Sequence, residues 1–255
     1  MEKEKSSVEI TNVFPQAPEM FVIKGRQNDY VSLPIQPLYV ELKKFARIKD
    51  TATFQFRLPL ESLSNKIIKR TSDIFLSTIV ILGVLTWLIP LMAVLIKLDS
   101  KGPVFFLQKR NKRDGDFFTC VKFRSMIEND DADSMQATAD DERITKLGKF
   151  LRKYFLDEIP QFLNVWIGDM SFIGPRPHMV SDNNKYEEII EFYNYRHKVK
   201  PGITGLSQAM GYVGETRNIQ AMKDRVHLDI FYVRHWSLWL DLKIFWHTLR
   251  KMARV

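Results

Sequence analysis

The amino-acid sequence predicts an α+β fold that is mainly α-helical and includes a helix inserted into a membrane. The first observation is an uncharged run of 23 residues at 74–96, which is long enough to enter a bilayer. The second is the recurrence of apolar residues at helical spacing over 143–167. The third is a pair of strand-like stretches within 103–125, on either side of the turn signal Asp114-Gly115.

The composition indicates an anionic partner and excludes several protein classes. The net charge is +8 and the pI is about 9.4, which suits a membrane surface, phosphorylated substrates or nucleic acid. The single cysteine, Cys120, cannot form an intramolecular disulfide, and no Cys/His cluster has metal-ligand spacing. We see no nucleic-acid-binding motif, and the membrane segment argues against a nucleic-acid partner.

The chain is predicted to have three regions. Residues 1–60 contain five prolines and short strand-like stretches such as 21–23 and 30–33, which predicts a soluble N-terminal extension. Residues 61–97 form the membrane helix, and residues 98–255 form a further domain that includes interfacial helices. An extension without any chemistry is an equally good interpretation of the first region.

The apolar run is predicted to enter the membrane and return to the same face. Asp73 and Lys97 bracket the run, and Pro90 removes a backbone donor inside it. Basic residues flank both ends: Arg57, Lys66, Lys69 and Arg70 before it, and Lys97, Lys101, Lys109, Arg110, Lys112 and Arg113 after it. Because basic residues prefer the cytoplasmic side, a re-entrant helix broken near Ile89-Pro90 satisfies both flanks. A single kinked span is the alternative.

Two further regions have helical patterns. The apolar stripe over 143–167 is interrupted by Pro160, which predicts two helices that meet at an angle. The C-terminal segment 227–252 places Trp239 and Trp246 beside lysines and arginines, a combination typical of a bilayer interface. A buried amphipathic helix would give a similar pattern.

Asp157 and Glu158 are the candidate reactive residues. A carboxylate near Arg152 is expected to keep a low pKa, and an ionised carboxylate can bind magnesium or attack phosphorus. The alternative is a pair of surface acids on an amphipathic helix. Arg176 lies between two prolines, which fix its backbone and suit it to a phosphate. The glycine-proline turn at 200–205 is a weaker candidate for presenting backbone N–H groups to a phosphate.

Five motifs follow the apolar segment in a characteristic order. They are LDSKGPVFFLQKR (98–110), KFRSM (122–126), RITKLGKFLRKYFLDEIPQFLNVWIGDMSFIGPRP (143–177), VKPGITGLSQ (199–208) and YVRHWSLWLDLKIFW (232–246). In this order they resemble the bacterial sugar transferase family, the monotopic polyprenyl-phosphate phosphoglycosyl transferases, over about residues 63–250.

The resemblance implies a re-entrant membrane helix and interfacial helices around a small cytosolic catalytic domain. It implies transfer of a sugar-1-phosphate from a UDP-sugar to undecaprenyl phosphate, with release of UMP. In the family the equivalent of Asp157 attacks the β-phosphate in the presence of Mg²⁺ and forms a covalent phosphosugar-aspartate. Glu158 would share magnesium binding with Asp157 or handle protons.

The resemblance also implies binding residues, partners and a location. Phosphate or substrate contacts fall on Lys122, Arg124, Arg152, Arg176, Arg217 and Asp229. The location would be the bacterial inner membrane, with the catalytic domain on the cytoplasmic face, at the first membrane step of an exopolysaccharide, capsule or O-antigen pathway. Inner-membrane lipids would be partners besides the two substrates, and a homodimer is a further option. The sequence does not predict which sugar is used.

The sequence departs from the family pattern in two places. Family members commonly have Ser-Pro at the bend, whereas this chain has Ile89-Pro90, so the group that caps a broken helix is left open. The chain is expected to be a short form with an N-terminal extension, where some members have four membrane helices. Two other functions fit the residues: a magnesium-dependent phosphatase, which needs no lipid, and an anionic-lipid-binding scaffold, which needs no Asp157.

Overall fold

The chain divides into two compact units, residues 1–56 and 57–255. The computed structural model describes residues 21–24, 30–33, 58–129, 138, 141–214 and 219–252. In the first unit, strand β1 (Phe21–Lys24) pairs antiparallel with β2 (Tyr30–Leu33), which confirms the two strand-like stretches.

The second unit begins with one helical stretch of 37 residues, Leu63–Asp99, which we call the apolar helix. Its parts are α1 (Leu63–Val80), a π-helical turn (Ile81–Leu85) and α2 (Thr86–Asp99). Within the described residues it is the one helix that is long and apolar enough to cross a membrane.

The helix is not interrupted at Ile89-Pro90, where the sequence predicted a break. Pro90 lies inside α2, and its ring affects the turn that precedes it in that helix. The irregular hydrogen bonding lies one turn earlier, in the π-helical turn Ile81–Leu85. Side-chain hydroxyls also bond to helix carbonyls here, since Ser77 donates to Asp73 and Thr86 donates to Leu82. The prediction of a break at Ile89-Pro90 is therefore corrected, because the helix continues through both residues.

The apolar helix has two faces. One face packs into a core in which Leu88, Met92 and Ile96 contact Phe123 and Leu151. The other face is exposed along the whole helix through large apolar side chains: Phe75, Ile79, Leu82, Trp87, Leu91, Val94 and Leu98. A contiguous exposed apolar surface of this extent is unusual for a protein surrounded by water and suits contact with lipid.

The remaining elements form a hairpin, a small parallel pair and several helices. Strands β3 (Phe105–Asn111) and β4 (Phe117–Phe123) are antiparallel, as predicted, and β5 (Ser171–Ile173) is parallel to β6 (Gly202–Thr204). The helices are α3 (Lys146–Lys153), α4 (Gln161–Ile167), α5 (Val180–Ile189), α6 (Leu206–Ala209), α7 (Ile219–His235) and α8 (Leu238–Met252).

Buried polar residues join the first part of the apolar helix to the rest of the unit. The ammonium of Lys69 lies 2.7 Å from Oδ2 of Asp241 on α8. Oδ1 of Asp73 accepts hydrogen bonds from the Ser171 hydroxyl and the Phe172 N–H, both at 2.9 Å. We call Lys69, Asp73 and Asp241 the helix-base network. Because Ser171 and Phe172 belong to β5, this network fixes the helix relative to that strand.

Replacing Asp241 with alanine is expected to lower the free energy of unfolding by about 3–5 kcal/mol, because the buried Lys69 would keep only the more distant Asp73, at 3.8 Å, and the buried donors of Tyr232 and Trp236 would lose a shared acceptor. Thermal or denaturant unfolding of the detergent-solubilised protein measures this change.

The matched control is Asp114→Asn, which removes the charge of an exposed ion pair with Arg113, suits the positive φ of 61° at this turn position and should cost less than about 1 kcal/mol. Similar losses in the two variants would contradict the prediction.

Candidate active site

A cavity of about 400 Å³ lies beside the β3–β4 hairpin and is strongly positive. Seven of its lining side chains are cationic: Arg110, Lys122, Arg124, Arg143, Arg152, Arg176 and Arg225. Three are acidic: Glu128, Asp157 and Asp182. The volume is that of a small-molecule site, and the excess of positive charge favours an anionic ligand.

The two candidate acids lie in the connection between α3 and α4. Phe155 adopts a left-handed conformation with φ 57°, which ends the α3 turn, and a short 3-10 helix follows at Leu156–Glu158. This confirms two helices separated near Pro160, and it places the acids in the turn rather than on a helix face. Both side chains are buried, with 7% of Asp157 and 8% of Glu158 exposed, so they are not surface acids.

Glu158 is held by two cations. Its Oε1 lies 2.6 Å from Nζ of Lys122, and its two oxygens lie 2.5 and 3.0 Å from the guanidinium nitrogens of Arg176. Burial alone would raise the pKa of Glu158, but Arg176 and Lys122 outweigh it and hold the pKa far below its usual value. Glu158 is therefore ionised and engaged at both oxygens. We call these three residues the Glu158 cluster.

Asp157 lines the cavity but has no hydrogen-bond or ion-pair partner among the described residues. Burial raises its pKa above the usual 3.8, against the opposing charge of Lys122, and the neighbouring charge of Glu158 raises it further. The sequence-based expectation of a low pKa was wrong. The prediction failed because the two nearby arginines are engaged elsewhere. Arg176 is paired with Glu158, and Nε of Arg152 donates to the Ser125 hydroxyl at 2.9 Å.

The other predicted site residues divide into three cases. Arg124 lies in the cavity wall, but its guanidinium donates to the carbonyls of Ser100 and Lys101 at 2.7 and 2.5 Å, just beyond the end of the apolar helix. Asp229 is 1% exposed and does not line the cavity. Arg217 lies outside the described residues.

Asp229 belongs instead to a buried group that supports the cavity from behind. It accepts hydrogen bonds from Arg196 at 2.7 Å and from the Ser207 hydroxyl at 3.0 Å. Arg196 also donates to the main-chain carbonyl of Arg176 at 2.7 Å. The pair therefore holds the segment that carries Arg176.

Sequence reasoning missed Arg196 as a supporting residue, and it missed Arg225 and Arg110 as cavity residues. Arg196 lies in the aromatic-rich stretch 193–198, which gave no motif signal. Arg110 was noticed only as one of the cations after the apolar run. Arg225 was the easiest to find, since an arginine on the apolar side of a helix needs a polar partner.

The residues fit a magnesium ion only in a limited way. Among the described residues, no group of three or more His, Cys, Asp or Glu side chains could hold a metal. Both oxygens of Glu158 are engaged, so Asp157 supplies the one candidate carboxylate that is free in this turn. Mg²⁺ commonly uses one or two carboxylates plus substrate phosphates, so Asp157 suits an ion that arrives with a phosphorylated ligand.

The fold and the cavity define a protein with an apolar, membrane-competent helix beside a site for anionic ligands. The family model for bacterial sugar transferases matches residues 64–255. The chain belongs to this family, which confirms the resemblance stated from the motifs.

Several curated relatives carry more specific names. A UDP-glucose:undecaprenyl-phosphate glucose-1-phosphate transferase of Klebsiella pneumoniae is 42% identical over 239 residues, covering 92% of this chain and 47% of the relative. A protein of the same name from Xanthomonas campestris pv. campestris is 48% identical over 181 residues, covering 69% and 37%. A UDP-N-acetylgalactosamine-undecaprenyl-phosphate N-acetylgalactosaminephosphotransferase of Aeromonas hydrophila is 42% identical over 185 residues, covering 72% and 43%.

The chain spans about half of these relatives' length, or less. The alignment with the Klebsiella protein covers more of this chain than the unit 57–255, so the similarity extends into the first unit.

Opposite effects on stability are expected from amide substitutions at the two adjacent acids. Asp157→Asn should raise the melting temperature at pH 7, because it removes a buried charge whose pKa is raised. Glu158→Gln should lower the free energy of unfolding by about 3 kcal/mol or more, because Lys122 and Arg176 lose their shared counter-charge. Thermal unfolding of both variants in one detergent gives the comparison.

The gain from Asp157→Asn should also depend on pH. Since the folded-state pKa lies above 3.8, wild-type stability is lost as the pH rises from about 3.8 through that pKa. As the pH falls towards 4, a larger share of this carboxyl is protonated in the folded state, and the difference between the two proteins should shrink. An equal gain at pH 4 and pH 7 would show that charge is not its cause.

Proposed function

We propose that the protein transfers a sugar-1-phosphate from a UDP-sugar to undecaprenyl phosphate and releases UMP. The observation that supports this most directly is the buried carboxylate of Asp157, which has no ion-pair partner among the described residues and lies in a cavity lined by cations. The relatives' names all include an undecaprenyl-phosphate acceptor and a UDP-sugar donor. Because the names of these relatives include both glucose and N-acetylgalactosamine, the donor is left as a UDP-hexose or a UDP-N-acetylhexosamine.

In the first step, an Asp157 oxygen attacks the β-phosphorus of the UDP-sugar. A bond forms between that oxygen and phosphorus, the bond from phosphorus to the bridging oxygen breaks, and UMP leaves with the electron pair. In the second step, an oxygen of undecaprenyl phosphate attacks the same phosphorus and releases the Asp157 carboxylate. Because no cation in the described part of the chain pairs with Asp157, its oxygens are accessible to phosphorus.

The cations near Asp157 neutralise the charge of the phosphates in both steps. Lys122 and Arg176 keep N–H groups beyond those used by Glu158, and both line the cavity. Arg152 lines it from α3. In this scheme Glu158 positions Lys122 and Arg176 rather than reacting itself. A magnesium ion bound with the donor diphosphate would add further positive charge, with Asp157 as its available protein ligand.

A re-entrant or in-plane path for the apolar helix is supported by its two anchors. Near its start, Asp73 bonds to Phe172 on β5, and just beyond its end Arg124 bonds to Ser100. A straight helix from Asp73 to Ser100 would be about 40 Å long and would exceed the ~30 Å hydrocarbon core. Both anchors belong to one polar unit, which cannot lie on both sides of a membrane. We place that unit on the cytoplasmic face of the inner membrane.

Helix α8 supports the same placement. Trp239 and Trp246 are 65% and 55% exposed, and cations lie over their rings, Lys243 at 5.7 Å and Arg250 at 5.3 Å from the ring centroids. The opposite face is buried at Leu240 and Ile244, which fits the amphipathic pattern. Exposed indole rings beneath cations suit the headgroup region of a bilayer.

Incubation with a UDP-sugar and no acceptor is expected to add one phosphosugar to Asp157. Intact-mass spectrometry followed by peptide mapping of the purified enzyme locates the adduct, and a panel of UDP-sugars with UMP release as readout selects the donor. Asp157→Asn should give neither adduct nor UMP, and its folding is checked by the melting measurement above. The matched control is Asp169→Asn, a partly exposed acid outside the cavity.

The rival functions give different products. A phosphatase releases free sugar phosphate whether or not undecaprenyl phosphate is present, and a lipid-binding scaffold shows no turnover with any donor. Product formation without an Asp157 adduct, under conditions that trap the first step, would remove the covalent mechanism.

Single cysteines in place of Lys66 and Lys101 are expected to be labelled from the same side of the membrane. Both positions are exposed and flank the apolar helix, whereas the native Cys120 is buried. A membrane-impermeant maleimide should label neither site in intact bacterial cells and both sites after permeabilisation. Labelling of one site in intact cells and the other only after permeabilisation would instead establish a spanning helix.

A further inference from the structure

Two cations converge on one point at the end of α4, outside the cavity. A Cβ placed on Gly168 would lie 3.3 Å from a guanidinium nitrogen of Arg70 and 3.4 Å from the ammonium nitrogen of Lys200. Gly168 has φ 102°, a conformation that favours glycine, and its missing side chain leaves the space between the two cations open. None of these three residues lines the cavity described above.

The positive charge at this point is only partly compensated. Arg70 donates to the carbonyls of Val165 and Trp166 at 2.6 and 2.7 Å, which occupies two of its five N–H groups. Lys200 is half-buried and has no hydrogen-bond or ion-pair partner in the described part of the chain. Burial lowers the pKa of Lys200, and the charge of Arg70 lowers it further.

The nearest acids are engaged elsewhere. Asp169 lies 3.1 Å from the ammonium of Lys112, and Asp73 accepts hydrogen bonds from Ser171 and Phe172. The carbonyls at the end of α4 account for Arg70, but Lys200 makes no hydrogen bond to them. A half-buried ammonium beside a like charge, with no partner among the described residues, favours the binding of an anion.

The position of this site along the apolar helix indicates the source of the anion. Arg70 precedes Ile74, the first residue of the uncharged run, by four residues, or about 6 Å of helix rise. The side chains around it are apolar and exposed, with 57% of Ile67, 51% of Trp166 and 62% of Ile167 accessible. Apolar side chains that flank cations at this height suit the headgroup layer of a bilayer.

We infer that Arg70 and Lys200 bind a phosphate group above Gly168, and that this group is the headgroup phosphate of an anionic phospholipid. Arg70 offers its remaining N–H groups and Lys200 its ammonium to the phosphate oxygens. The inference rests on the membrane placement proposed above and not on the transfer reaction, so either can fail without the other.

Native mass spectrometry of the enzyme released from mixed nanodiscs tests the site. With phosphatidylglycerol and phosphatidylcholine as probes, the wild type should retain phosphatidylglycerol above its bulk share. Lys200→Gln should lose that enrichment, and Lys200→Arg should keep it. The matched control is Lys198→Gln, which removes an exposed charge two residues away and should leave the enrichment unchanged.

A second arm distinguishes a lipid from free phosphate. Inorganic phosphate is added to the released protein and to the detergent-solubilised enzyme, whose melting temperature is followed. If the phosphatidylglycerol enrichment is lost in Lys200→Gln and is unchanged by added phosphate, the ligand is a lipid headgroup. In a second outcome, added phosphate abolishes the enrichment and raises the melting temperature of the wild type but not of Lys200→Gln. This result supports an anion site but identifies free phosphate as its ligand, which overturns the assignment to a lipid. If Lys200→Gln retains wild-type enrichment and phosphate has no effect, the site does not exist, and Lys200 merely complements the end of α4.

Discussion

The binding of Lys122 and Arg176 to one carboxylate, that of Glu158, determines how the site is arranged. These contacts join three parts of the unit that are distant in sequence: strand β4, the turn between α3 and α4, and the segment after β5. They also give the adjacent acids Asp157 and Glu158 opposite pKa shifts. The pKa of Glu158 falls because two cations bind it, whereas the pKa of Asp157 rises because burial acts on it without a paired cation.

Polar contacts also fix the apolar helix relative to this cluster. Apolar surfaces pack in several registers of similar energy, so packing alone would allow the helix to shift along its axis or rotate. Asp73 bonds to strand β5, which leads into the segment of Arg176, and Arg124 follows directly on strand β4, which carries Lys122. The helix is thus tied at each end to a segment that supplies one cation of the Glu158 cluster. The position of the apolar helix and the geometry of the site therefore depend on each other.

The sequence predicted those parts of the fold that depend on local signals. The β3–β4 hairpin follows from a turn in which Asp114 and Gly115 both have positive φ, and the two helices around Pro160 follow from apolar spacing. The predicted break at Pro90 does not interrupt the helix, because a proline shows where a donor is missing but not whether neighbouring turns absorb the change. Local patterns specify which elements form more reliably than they specify how an element bends.

The sequence predicted which residues form the candidate site but not how their charges are paired. Motif order brought together Lys122, Arg152, Asp157, Glu158 and Arg176, and the structure places all five at or beside one cavity. The pKa of Asp157 was predicted in the wrong direction because a sequence shows which charges are near, not which are already paired. Arg152 bonds to Ser125, a residue 27 positions away, and no local pattern reveals that contact.

The unpaired state of Asp157 is what a nucleophile in a positive cavity requires. A direct ion pair with Lys122 would lower its pKa and make its oxygens poorer nucleophiles, and it would also engage a cation that could otherwise bind a phosphorylated ligand. With Glu158 as the shared partner, Lys122 and Arg176 remain close enough to favour the ionised form of Asp157 without covering its oxygens. The ionised, buried Asp157 lowers the free energy of unfolding, and the positive charge of Lys122 and Arg176 remains available for a phosphorylated ligand.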